Sequence, residues 1–160
     1  MNVKEEQVST FEDLLARDGR LVYKIRGVSM EPMLRQNRDI VVINVPSSRL
    51  RKYDVALYRR GGRYVLHRVI QAGENEYLIR GDNTYALETV PDSAVIGVLT
   101  AFRRKGKQHK VTEKGYRLYV RVWNALYPLR LCRFHMVRLM KTVSRRLGLT
   151  PLIKRLIRYE

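Results

Sequence analysis

This 160-residue sequence predicts a mainly β fold, compact and coiled, followed by basic amphipathic helices at the C-terminus. Three observations carry that expectation. Six short runs rich in β-branched and aromatic residues, each bounded by turn residues, fill the region from 21 to 103. From about Gly115 the pattern changes, and apolar residues recur at steps of three and four. The charge is also uneven: 32 Lys and Arg stand against 15 Asp and Glu, net +17, and between Lys114 and Glu160 the only acid is Glu160 itself.

The elements follow in order. Thr10-Phe11-Glu12-Asp13-Leu14-Leu15 reads as a short helix capped by Ser9 or Thr10, whose oxygen satisfies a free N–H of the first turn. Residues 1–18 carry Glu5, Glu6, Glu12 and Asp13 and have no apolar core of a secretory signal. Strands are expected at 21–26, 40–45, 54–59, 63–70, 76–80 and 94–103, with 46–52 a loop. Arg60-Gly61-Gly62-Arg63 is a hairpin turn, because paired glycines supply the positive φ that two-residue loops need. Gly73-Glu74-Asn75 is another turn. Six short strands with tight turns favour a closed or coiled sheet. The organisation is therefore a helical arm at 1–18, a β-rich domain at 19–112 and a helical tail at 113–160.

In the tail, Leu118, Val122, Ala125, Leu129, Cys132, Met136, Met140, Val143 and Leu147 form one apolar stripe. Arg117, Arg121, Arg130, Arg133 and Arg138 surround it, and Trp123, Tyr116, Tyr119 and Tyr127 are aromatics of the interfacial type. Pro128 should interrupt the helix, Gly148 end it, and Pro151 open a last short one. Such a stripe fits an anionic membrane surface first, packing on the chain's own β-domain or a protein partner second, and nucleic acid last. No stretch reaches the ~20 apolar residues of a span, so the expected location is cytoplasmic or peripheral at the cytoplasmic membrane face. One cysteine, Cys132, excludes an internal disulfide framework. Three histidines without metal spacing predict no zinc, and no phosphate-cradling loop predicts a cofactor.

One segment suggests chemistry. Ser29 lies in a short loop between two strands, with Gly27 two positions before it and Pro32 three after. Glycine allows unusual dihedrals and proline stiffens the exit, so a hydroxyl there can be exposed and held. A turn serine bonded to local backbone is the alternative. His67 lies mid-strand in Leu66-His67-Arg68-Val69, with a partly buried strand histidine as its plain reading. Asp82 lies in the turn Arg80-Gly81-Asp82-Asn83, and Glu88 follows six residues later. Nucleophile, base and carboxylate are the parts of a Ser–His–acid set.

Together, Ser29-Met30-Glu31-Pro32-Met33-Leu34, Arg38-Asp39-Ile40-Val41-Val42, Tyr53-Asp54-Val55-Ala56, His67-Arg68-Val69, Gly81-Asp82-Asn83 and Val95-Ile96-Gly97-Val98 resemble the signal peptidase and LexA-like serine peptidases over residues 20–103. Histidine, where bacterial members have lysine, resembles the endoplasmic-reticulum and archaeal branch. The resemblance implies a Ser29 nucleophile, a His67 general base, Asp82 or Glu88 as orienting acid, and substrate bound as an extended strand. The second acid of that branch is aspartate; here it is Glu88. Many relatives have a serine at the position of Gly27, so the oxyanion would rest on backbone N–H groups, Ser29's own included. The expected function is a serine endopeptidase acting on a leader peptide or membrane-associated precursor. The alternatives are a non-catalytic adaptor that binds membrane or peptide, and a nucleic-acid-binding regulator. No helix-turn-helix pattern precedes the serine segment, which counts against a self-cleaving repressor.

Overall fold

A computed structural model describes residues 10–146. The chain forms two compact units that divide between Arg117 and Leu118.

The first unit opens with α1 (Phe11–Asp18). Thr10 caps it: its Oγ1 accepts from the Asp13 N–H at 3.1 Å while Asp13 accepts from the Thr10 N–H at 2.9 Å. Gly19, at φ 65°, ends it in the left-handed conformation that favours glycine. The segment is part of the body, not a separate arm. Leu15 is buried, and Phe11 stacks on Tyr64 at 4.5 Å and meets Tyr23 at 5.0 Å.

Eight antiparallel strands follow: β1 (Arg20–Lys24), β2 (Ile40–Asn44), β3 (Val55–Arg60), β4 (Arg63–Ala72), β5 (Glu76–Arg80), β6 (Glu88–Pro91), β7 (Val95–Arg104) and β8 (Lys107–Lys110). The sheet order is β1-β2-β7-β3-β4-β5-β6, and β8 pairs with β7. All six expected strands form, with ends shifted by a residue or two. β6 and β8 were not expected. Each has four residues; β6 ends in proline and β8 is Lys-Gln-His-Lys, so neither shows an alternating apolar pattern. The β3–β4 hairpin turns at Gly61 (φ 52°) and Gly62 (φ 77°). That turn sets Arg60 opposite Arg63, Tyr58 opposite Val65 and Ala56 opposite His67. Residues 66–69 of β4 are buried on both faces of the strand. Leu50, Ala56, Tyr58, Val69, Ile79 and Val90 belong to one buried cluster of the core.

α2 (Lys114–Ala125) starts in the first unit and continues into the second, and α3 (Tyr127–Arg146) follows after a break at Leu126. The break falls two residues before Pro128, which sits in the first turn of α3, where a missing N–H costs nothing. Leu118, Val122, Leu129, Met136, Met140 and Val143 are all exposed, at 45–69%. The stripe read from the sequence is thus a surface in this unit. Leu147, Gly148 and the helix expected from Pro151 lie outside the described residues, as do residues 1–9.

Two aromatics of the tail have partners within the chain. Tyr116 belongs to the first unit, with its hydroxyl 3.1 Å from Arg68 Nη1 and its ring 5.7 Å from Phe102. Trp123 has one face covered by the Arg130 guanidinium, 3.9 Å from the ring centroid, in a cation–π contact. Arg117, Arg121, Arg133 and Arg138 are exposed. No helix among the described residues is long and apolar enough to cross a membrane.

Candidate active site

Ser29 lies in the turn that links β1 to β2. The turn is anchored from below by Met30, Met33 and Leu34, each at most 2% exposed, so the half-buried serine sits on a packed base. Gly27 enters it at φ 82°, a conformation that a side chain would strain. At the exit the buried Asp39 accepts from the Arg35 N–H at 2.8 Å and from the Arg38 guanidinium at 2.7 Å. Among the described residues the Ser29 N–H donates to no backbone acceptor.

Gly81 brings serine and histidine together. A Cβ placed there would lie 2.7 Å from the Ser29 carbonyl oxygen, 3.1 Å from Ser29 Cβ and 3.1 Å from His67 Nε2. Ser29 Cβ and His67 Nε2 therefore both lie against Gly81, where only a hydrogen fits. The same loop is stitched to the serine turn. The Asn83 N–H donates to the Ser29 carbonyl at 2.8 Å, and Asn83 Nδ2 donates to the Val28 carbonyl at 3.3 Å.

His67 is 5% exposed on β4. Its two nitrogens face different partners. Nε2 lies against Gly81. Nδ1 lies 3.2 Å from Tyr58 Oη and 3.6 Å from Glu88 Oε1. Tyr58 donates to Glu88 Oε2 at 2.9 Å, and Arg60 Nη1 donates to the same oxygen. Burial opposes ionisation of Glu88, but the hydrogen bonds from Arg60 and Tyr58 outweigh it and hold the carboxyl below its usual range. Burial also pushes the imidazole below its usual value; Glu88 resists that shift and Arg60 adds to it. The uncharged ring is therefore the favoured form near neutrality.

Asp82 is engaged elsewhere. Arg68, 0% exposed, donates from Nε to Asp82 Oδ1 at 2.8 Å and from Nη2 to Oδ2 at 2.6 Å. Its Nη1 reaches the Tyr53 carbonyl at 3.0 Å as well as Tyr116. Burial works against the Arg68 charge, yet Asp82 and then Tyr116 hold it firmly protonated. This bidentate pair pins the Gly81–Asn83 loop to β4. Of the two candidate acids, Glu88 is the one within reach of Nδ1, and Asp82 holds the loop that carries Gly81.

Sequence reasoning missed Tyr58 and Arg60. A signal for Tyr58 was present: a two-residue Gly61-Gly62 turn places residue 58 diagonally across from residue 67 on the same face of the ladder. A cavity of about 790 Å³ opens beside β1 and the serine turn, with neither Ser29 nor His67 on its wall. Gly27, Met30 and Leu66, which flank Ser29 and His67 in the chain, are on its wall, with Phe11, Tyr23 and Tyr64. Among the described residues no group of three or more His, Cys, Asp or Glu side chains could hold a metal ion. The arrangement can therefore offer a hydroxyl, an uncharged base and a carboxylate behind the base. No family model and no curated protein matches the sequence.

Proposed function

We propose that the protein is a serine endopeptidase of signal-peptidase-like character, with Ser29 as nucleophile and His67 as general base. The observation that carries this reading is the meeting of Ser29 and His67 Nε2 at Gly81, with Glu88 behind the other ring nitrogen. In this mechanism Ser29 Oγ attacks the scissile carbonyl as its proton passes to Nε2. The tetrahedral oxyanion takes hydrogen bonds from backbone N–H groups, that of Ser29 included. The imidazolium then protonates the departing amine, and water releases the acyl group by the same path. Glu88 stabilises the positive charge on the ring.

The substrate is a leader peptide or a membrane-associated precursor, bound extended. Among the described residues β1 pairs with β2 alone, so its other edge is open to main-chain pairing next to the cavity. A digest of a mixed-sequence peptide library, read by mass spectrometry, tests the chemistry. The wild-type chain should cut it. Ser29→Ala and His67→Ala should each lower turnover by up to about 10⁶, and the double variant should be little worse than either, because the pair acts as a unit. Absence of cleavage by the folded wild-type protein returns the site to a non-catalytic peptide binder.

The exposed stripe from Leu118 to Val143, ringed by arginines, supports peripheral attachment to an anionic membrane face. The chain should pellet with vesicles containing phosphatidylserine and weaken steeply between low and physiological salt, since each basic residue contributes about 1 kcal/mol that ions screen. Truncation after Lys114 would remove part of the Arg68 site with Tyr116, so cutting after Arg117 is the cleaner control. Equal binding to neutral vesicles would overturn the electrostatic attachment.

A further inference from the structure

We infer that Tyr58 is a positioning residue that selects the base-competent tautomer of His67. It acts as a hydrogen-bond relay between the imidazole and Glu88. The inference rests on the serine peptidase reading for its effect on rate, but the tautomer itself can be read without any substrate.

Hydrogen-bond polarity dictates the tautomer. Tyr58 has a single O–H proton. Glu88 is held ionised by Arg60 and Tyr58 and so has no proton to give. Across the 2.9 Å contact the donor must be Tyr58. Toward His67, 3.2 Å away, the phenol oxygen then has only lone pairs. The Nδ1 of the ring must carry a hydrogen to make that contact, and in the neutral ring Nε2 is then bare. Nε2 is the nitrogen that lies beside Gly81, as Ser29 Cβ does. The proton count along Arg60, Glu88, Tyr58 and His67 thus puts a lone pair where a base needs one.

The surroundings hold this polarity in place. Tyr58 is 1% exposed within the apolar cluster of Ala56, Val69 and Ile79. Burial, reinforced by Glu88, keeps its hydroxyl protonated well beyond neutral pH. When Nε2 accepts the serine proton, Nδ1–H still donates to an oxygen polarised by a carboxylate. Four groups set the field on the ring: Tyr58 on β3, Glu88 on β6, Arg60 at the end of β3, and Asp82 in the loop after β5. Tyr58 and Glu88 both approach Nδ1, and Tyr58 is the nearer.

The test is ¹⁵N NMR of the His67 ring in full-length protein carrying Ser29→Ala, above the pH at which the ring titrates. The expected spectrum has a protonated Nδ1 and an unprotonated Nε2. The opposite tautomer in this folded protein overturns the proposal, and needs no further variant. Tyr58→Phe keeps the ring in the core and removes the relay. It should shift population toward the Nε2–H tautomer and, in the Ser29-containing chain, lower kcat against the peptide library by 10-fold or more with little change in KM. A spectrum and rate unmoved by Tyr58→Phe would mean that Glu88 takes Nδ1 directly, which also overturns the relay. The expected tautomer in a protein that cleaves nothing would leave the relay standing and remove the peptidase reading.

Discussion

His67 and Arg68 are neighbours on one strand, both buried and both beside an acid, yet they are built for opposite purposes. Arg68 has its charge closed off. Two nitrogens are spent on Asp82, a third on the Tyr53 carbonyl and Tyr116, and none of its surface meets solvent. His67 has Nδ1 occupied and Nε2 beside Gly81, next to the serine turn. Strand alternation sends the two side chains to opposite faces, so one face of β4 carries the Arg68–Asp82 clamp and the other the His67 ring. The contrast shows that proximity of an acid does not by itself make an orienting group. What matters is whether the acid's oxygens are already committed.

Exchanging the two acids for amides separates the faces. Glu88→Gln should lose up to roughly 10⁴ in turnover, because the charge behind the imidazolium is gone, with little loss of stability. Asp82→Asn should do the reverse. It leaves Arg68 buried against a neutral partner, which costs about 3–5 kcal/mol of folding free energy, while the molecules that remain folded lose far less activity. Denaturant titration and library turnover on both variants check this; the same pattern in both would break the contrast.

Gly81→Ala acts on the loop that joins the faces. Its methyl would press on the Ser29 carbonyl and on His67 Nε2, so the two must part. A displacement near 1 Å costs about 10²-fold in rate, and the overpacking costs about 1–3 kcal/mol in stability.

The smallest effect is in pH. Activity should fall on the acid side below the ordinary histidine value, since the folded ring resists protonation. Glu88→Gln should move that limb lower still and Arg60→Ala higher, because Glu88 favours the charged ring and Arg60 opposes it. Stability follows the same sign. The unfolded ring takes the proton first, so this contribution is fully present above about pH 6.5 and is lost as pH falls from there toward the folded value. Activity and melting profiles against pH read both.

Much of this was legible in order along the chain. The six expected strands, the Thr10 cap and the paired glycines at 61 and 62 are local features, and local propensity with short-range pairing decides them. β6 and β8 escaped because four-residue edge strands show no period and depend on a partner strand. Ser29, His67 and Glu88 could be picked out because a loop serine after a glycine and a histidine within a strand are visible as residue types.

The sequence by itself determined the element order, the antiparallel hairpins, the basic tail and the list of groups able to do chemistry. Which carboxylate faces which base was a tertiary decision. Asp82 and Glu88 are six positions apart, and either could serve as the orienting acid from sequence alone. Only the folding of β5 and β6 onto β4 delivers one to Arg68 and the other to His67. Tyr58 is a strand residue by sequence pattern, and only the assembled sheet sets its hydroxyl between an imidazole and a carboxylate. Hydrogen bonds and ion pairs have angstrom reach, so partners distant in sequence are fixed only when the backbone has placed them.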